Sequence, residues 1–276
     1  MPAKRLAALI LATAAQLAAL PAGATAWTAA QLVEKNAAAR GGAQAWRKVE
    51  TMAWTGHVES AGRSGRTAPF LLEQKRPDRT RFEVTVDGQK SVRAFDGTTG
   101  WKRHPGSTGR PEVQAFTPDE LRFARGALGM GGPLMEHVAR GATVTLAGLQ
   151  EIEGRQAYAL GLRLPSGGVA RVWIDAETFL ELRYDREFVD SGGRTAVTSV
   201  AFGDYREVEG LQLPFSVRTS APDGRSRDTL VIERVTLNPI LNDRTFARPG
   251  SGLAPHRGVT VDTRSASRAG PARPEP

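Results

Sequence analysis

Arg81-Phe82-Glu83-Val84-Thr85-Val86-Asp87-Gly88 alternates polar and apolar side chains for six residues and then turns. A strand points successive side chains to opposite faces. Phe82, Val84 and Val86 therefore share one face, and Arg81, Glu83 and Thr85 the other. Asp87-Gly88 suits the two positive-φ positions of a tight hairpin. The stretch reads as an antiparallel strand with one dry and one wet face, feeding directly into its neighbour.

The same pattern extends both ways. Upstream, Met52, Trp54, Gly56 and Val58 fall on one face, as do Ala68, Phe70 and Leu72. Gly62-Arg63-Ser64-Gly65 and Asp96-Gly97 supply further turns. Downstream, strands are predicted over Thr143–Glu151, Gln156–Leu164, Val169–Asp175, Leu180–Phe188, Thr195–Arg206, Leu213–Thr219 and Thr229–Leu237. Their turns carry Glu153-Gly154, Ser166-Gly167-Gly168, Ser191-Gly192-Gly193, Glu209-Gly210 and Asp223-Gly224. With five strands before residue 117, the chain is expected to form about 11–12.

One helical stretch opens the mature chain and a second interrupts this meander. Thr28 and Gln31 make a capping box, Trp27 and Leu32 occupy staple positions, and Gly41-Gly42 stops the helix. Ala43 to Val49 reads as a further helical turn carrying Trp46. Thr117-Pro118-Asp119-Glu120 is a second strong helix start, for a helix bearing Leu121, Phe123, Ala124 and Leu128. The glycine-rich run from Gly126 to Gly132 reads as a flexible joint, and Pro133 to Ala139 as another short helix.

The ends of the chain point to export. Lys4 and Arg5 precede an apolar run from Leu6 to Leu20, then Pro21 and the Ala24-Thr25-Ala26 pattern. This reads as a cleavable signal over residues 1–26, cut after Ala26. No other apolar stretch approaches spanning length, so a soluble mature chain is expected. Residues 27–249 form the expected folded domain. Residues 250–276, rich in Pro, Arg, Ser, Ala and Gly, read as a disordered basic tail.

The chain has no cysteine, which excludes disulfide staples and a lipidated N-terminal Cys. Membrane contact is then transient and non-covalent. The full chain has 37 basic and 29 acidic residues, an excess of +8. Without Lys4 and Arg5 the excess is +6; the tail holds four Arg against Asp262 and Glu275, which leaves the body at +4. Scattered charge and export together argue against nucleic acid as a partner.

An antiparallel meander of this length must curl to manage its edges and twist. A curl of about twelve strands is too wide to fill with its own side chains. Helical segments can plug it; what they leave open is an apolar cavity. The strand pattern by itself fits a filled core as well as a cavity. A transmembrane barrel is disfavoured by short strands and by the lack of clear aromatic girdles.

Catalytic constellations are missing. His57, His104, His137 and His256 are scattered and lack metal-ligand spacing. There is no G-x-S-x-G elbow and no P-loop. Asp185, Glu187 and Asp190 read as charged-turn residues. No catalytic residue, metal or cofactor is expected.

Several segments taken in order resemble a known family. They are Ala39-Arg40-Gly41-Gly42-Ala43-Gln44-Ala45-Trp46, Phe95-Asp96-Gly97-Thr98-Thr99-Gly100-Trp101 and Val172-Trp173-Ile174-Asp175-Ala176-Glu177-Thr178-Phe179-Leu180. The run from Phe202-Gly203-Asp204-Tyr205 to Pro214 follows, then Leu237-Asn238-Pro239 with Phe246. Across residues 27–249 the chain resembles the outer-membrane lipoprotein-sorting proteins, which include LolA, LolB and RseB. The resemblance implies a mainly β antiparallel half-barrel lidded by short helices. It also implies a non-enzymatic periplasmic carrier of lipoprotein acyl chains or other lipids, served by an inner-membrane exporter and an outer-membrane acceptor. The alternative it allows is an RseB-like module that senses lipid or protein. It assigns no individual functional residue. The expected cavity lining is Trp54, Phe70, Leu72, Phe82, Val84, Tyr158, Leu160, Leu162 and Ile174. The expected lid is the helix of Leu121, Phe123 and Leu128.

Overall fold

The computed structural model describes residues 27–60, 67–106, 110–126, 129–165, 167–189, 193–220 and 227–250. Residues 1–26, expected to be a signal, the turns at Gly62-Arg63-Ser64-Gly65 and Asp223-Gly224, Leu128, Asp190, and the residues from 251 lie outside them.

Both helix starts form as their caps dictate. Thr28 opens α1 (Ala29–Ala39): its hydroxyl accepts from the Gln31 amide at 3.2 Å, and the Gln31 side chain accepts from the Thr28 amide at 2.9 Å. Thr117 and Glu120 repeat this box at α3 (Pro118–Arg125). α2 (Ala43–Arg47) carries buried Trp46. α4 is a single turn, Gly132–Met135, shorter than the stretch expected from Pro133 to Ala139. The chain leaves it where the Glu136 carboxylate folds back to accept from the Gly131 amide at 3.2 Å. Among the described residues no helix is long and apolar enough to cross a membrane.

The strands are β1 (Thr51–Ser60), β2 (Thr67–Lys75), β3 (Arg79–Val86), β4 (Gln89–Phe95), β5 (Gly100–Pro105) and β6 (Pro111–Ala115), then β7 (Thr143–Ile152), β8 (Arg155–Arg163), β9 (Val169–Asp175), β10 (Glu181–Val189), β11 (Thr195–Val208), β12 (Leu211–Ser220) and β13 (Arg227–Leu237). All 13 join one antiparallel sheet. Its order is β6-β5-β4-β3-β2-β1-β13-β12-β11-β10-β9-β8-β7. The first and last strands pair at the centre, and the α3–α4 segment connects the two free edges. The strand beyond the expected eleven or twelve is β6. It starts on Pro111 and lacks an apolar stripe, and it lies at an edge, where a missing N–H breaks no ladder. The Asp87-Gly88 turn behaves as its residues require, with φ of 49° and 75°.

The sheet is strongly curled, and α3 measures the curl. Glu120 pairs with Arg93 on β4 and Lys102 on β5, each at 3.0 Å. One turn later, the Phe123 carbonyl accepts from both Nη atoms of Arg186 on β10, at 3.2 and 3.3 Å. β4 and β10 stand seven places apart in the sheet order, about 34 Å along a flat sheet. Three residues of helix rise only about 4.5 Å. The sheet must bend into a half-barrel to bring both walls to one helical turn.

The concave face holds most of the core. Under α1, Leu32 and Leu134 meet Leu160, Val172 and Ile174. Under α2 and the glycine-rich segment, Trp46 and Met130 meet Trp54, Phe70, Leu213 and Ile232. The convex side has smaller clusters. One of them, Val92, Ala94 and Trp101, is tied down from outside: the Trp101 indole donates to the Phe246 carbonyl at 2.8 Å.

Candidate functional site

A cavity of about 230 Å³ lies between the centre of the concave face and the segment that crosses it. Its apolar wall comes from alternate residues of adjacent strands. Trp54, Leu72 and Phe70 come from β1 and β2, Ile232 and Leu230 from β13, Val217 from β12 and Phe202 from β11. The register explains the assembly: Trp54 stands opposite Leu72, Gly56 opposite both Phe70 and Ile232, and Val217 opposite both Leu230 and Phe202. The roof is Gly129, Met130, Gly132 and Pro133. The lining is thus hydrocarbon and aromatic, with polar groups in a few places.

One polar group is the Trp54 indole, which donates to Gln74 at 3.1 Å. The other is a buried cluster at one end of the wall. Arg40, just past α1, pairs with Glu181 on β10 at 3.1 Å and donates to the Gly131 carbonyl at 2.7 Å. Its guanidinium also lies 4.4 Å from the centre of the Trp46 ring. The Tyr205 hydroxyl donates to the Glu181 backbone carbonyl at 3.0 Å and to its carboxylate at 3.3 Å. Burial, reinforced by the Glu181 charge, pushes the Tyr205 phenol well above its ordinary range, so it stays a donor. Arg40 therefore ties the helical cover to the sheet wall across the cavity end.

Two glycines let the cover sit this close. A Cβ on Gly129 would fall 1.9 Å from the Glu136 carboxylate. Gly132 has φ of +79°, and a Cβ there would meet Arg40 Nη1 at 2.8 Å. Gly129–Gly132, the described end of the run expected to be a flexible joint, is thus a close-packed roof. Its glycines make room for charged side chains.

α3, the expected lid, contributes no residue to the cavity lining. None of its residues is buried. Phe123 is 45% exposed, with its ring 4.4 Å from the Arg186 guanidinium. Leu121 is half-buried. The helix is held by the Glu120 pairs, by Arg186, and by Arg125 donating to the Thr98 carbonyl at 3.3 Å. Burial alone would raise the Glu120 pKa. The Thr117 amide, Lys102 and Arg93 outweigh it and bring the carboxyl down to about 2.

The residues singled out from the sequence divide between two places. Trp54, Phe70 and Leu72 line the cavity. Phe82 stacks on Phe70 with ring centres 5.8 Å apart, one strand further out. Val84 stands opposite Phe70 on β3. Tyr158, Leu160, Leu162 and Ile174 lie on the same concave face but pack under α1 and α4, away from the cavity. Phe202, Val217, Leu230 and Ile232 share the alternation of the predicted strands, which was the signal available for them. Arg40 gave none, because an arginine before Gly-Gly reads as an ordinary helix end.

Among the described residues no group of three or more His, Asp or Glu side chains could hold a metal ion. His57 pairs with Glu233 at 2.9 Å and His104 with Glu112 at 3.9 Å, both at the surface. Asp185 is held by Arg183 at 2.7 Å.

No family model and no curated protein matches the sequence. Solved structures do match. The LolA superfamily protein NE2245 from Nitrosomonas europaea is 16% identical with a TM-score of 0.51, over 81% of this chain and 99% of that one. A DUF1329 family protein from Desulfovibrio piger is 15% identical with a TM-score of 0.51, over 79% of this chain and 97% of that one. At these identities the likeness is one of architecture: the chain has a LolA-like fold, a curled antiparallel sheet with a helical cover on its concave side.

Proposed function

We propose that this chain is an exported, non-enzymatic binder of acyl chains, those of lipoproteins or other lipids. It shelters them in the concave cavity and passes them between membrane components in the periplasm. The observation that carries the reading is the cavity itself, walled by Trp54, Phe70, Leu72, Phe202 and Ile232 and set beneath Gly129, Met130, Gly132 and Pro133. Its volume of about 230 Å³ exceeds that of the dry apolar hole of roughly 150 Å³ known to take up benzene. Each buried methylene contributes about 0.8 kcal/mol. A chain longer than the cavity can extend along the concave face once α3 lifts, and α3 is held by polar contacts at the surface.

Export rests on the signal-like residues 1–26. The absence of cysteine supports reversible membrane contact. Donor and acceptor would be an inner-membrane exporter and an outer-membrane receptor.

Native mass spectrometry of the mature chain, purified gently from periplasm and followed by lipid extraction, tests the reading. An acyl-lipid or lipopeptide adduct is expected. An apo mass that also refuses added lipid and lipoprotein would overturn it.

A further inference from the structure

Among the described residues, the basic side chains around the cover are nearly all neutralised. Arg40 has Glu181, Arg93 and Lys102 share Glu120, and Arg140 has Glu136 and Asp78. Arg125 and Arg186 keep only backbone carbonyls as acceptors, and of these two Arg186 is the one withdrawn from the surface. Arg186 contacts the Phe123 carbonyl and ring, and no carboxylate lies within ion-pairing distance among the described residues. It is also withdrawn from water: burial pulls its guanidinium below the ordinary arginine value, helped by the neighbouring charge of Arg140 and opposed by Tyr184. A half-buried cation that keeps only a neutral acceptor leaves much of its interaction energy unused, because an ionised acceptor bonds about twice as strongly.

Its position relative to the cavity is fixed by register. Arg186 stands opposite Thr198 on β11, and Phe202 of the cavity wall lies four residues further along the same strand. That is about 13 Å on the same concave face. The polypeptide that covers Arg186 at Phe123 also roofs the cavity at Gly129 and Met130. Neither Arg186 nor α3 lines the cavity; a molecule whose tail lies in the cavity and whose head extends along β11 toward α3 would bring that head to Arg186.

We propose, resting on the acyl-binding reading, that Arg186 is a headgroup site: it takes the acidic end of a single-chain amphiphile whose tail occupies the cavity. The anionic head replaces the Phe123 carbonyl and ring on the guanidinium. That releases the carboxyl end of α3, so loading and opening of the cover are the same event. The shared chemistry is one anionic group on an apolar chain, either a fatty carboxylate or an alkyl phosphate.

Three sixteen-carbon probes separate head from tail: palmitate, hexadecyl phosphate and hexadecanol, each titrated calorimetrically into the full mature chain. At least one acid should bind about tenfold more tightly than the alcohol, and whichever acid does so names the source. Arg186→Gln should bring the acids down to the level of hexadecanol and leave hexadecanol unchanged, which also shows that the variant is folded. Arg186→Lys should restore part of the preference. Equal binding of all three probes by the native chain, or an acid preference that survives Arg186→Gln, would overturn the headgroup site while leaving acyl binding intact. Failure of all three to bind the native chain would overturn both.

Discussion

The flank of the half-barrel under α1 and its centre under the glycine-rich segment use the same strand pattern and end differently. On the flank, Leu160, Val172 and Ile174 are fully buried because Leu32 and Leu134 descend onto them. In the centre, Trp54, Phe70 and Ile232 face a roof of Gly129, Met130, Gly132 and Pro133, and about 230 Å³ stays open. The wall does not decide whether this fold is filled or hollow; the cover does. A helix of about three turns that brings Leu32 down onto the strands fills, and a segment whose glycines accommodate Arg40 and Glu136 does not.

The seam between the two regions should be the most sensitive point. Arg40→Met leaves Glu181 buried beside only the Tyr205 hydroxyl. Loss of one partner from a buried pair costs about 3–5 kcal/mol, readable as a lowered denaturation midpoint. A small loss would mean that Glu181 finds water or another donor, and that the cover is not anchored there. On the flank, Leu160→Ala should cost about 2–5 kcal/mol as a core truncation, with acyl binding by the remaining folded protein unchanged. In the centre, Leu230→Phe should be far milder, about 1 kcal/mol or less, because the added atoms enter open space. The same substitution should sharply reduce acyl uptake. If Leu230→Phe and Leu160→Ala destabilise equally, the contrast between hollow and filled regions fails.

The smallest effect is expected at α3. Glu120→Gln removes the charge that holds α3 to Arg93 and Lys102. Hydrogen exchange over 118–126 should accelerate with little change in global stability. The pH dependence has a definite sign. The folded-state pKa of Glu120 lies below its ordinary 4.5, at about 2. The tether is therefore complete above 4.5 and is lost as pH falls from there toward 2. Exchange over this helix should rise in that window in the native chain and be flat in the variant.

Much of this was legible in the sequence. Alternation in segments such as Arg81–Val86, with Asp-Gly and Gly-Gly turns, specified a long antiparallel meander, and the threonine caps located α1 and α3. The curl followed from strand number. β6 escaped because an edge strand of five residues with a proline has no stripe to bury. The position of the cavity also escaped. Leu160 and Leu72 carry the same signal, an inward apolar residue on a half-buried strand, and only the element above them tells core from cavity. Arg40 and Arg186 differ from the other arginines by their partners, which come from residues far away in the chain.

The central claim is that an acyl chain enters the cavity beside Trp54. The direct measurement is quenching of tryptophan fluorescence by a chain-brominated fatty acid, in the native chain and in Trp54→Phe. The indoles of Trp27, Trp46, Trp101 and Trp173 provide the background. The account predicts saturable quenching that is largely lost in Trp54→Phe while binding persists. Quenching that is unchanged by that substitution would place the chain elsewhere and contradict the account.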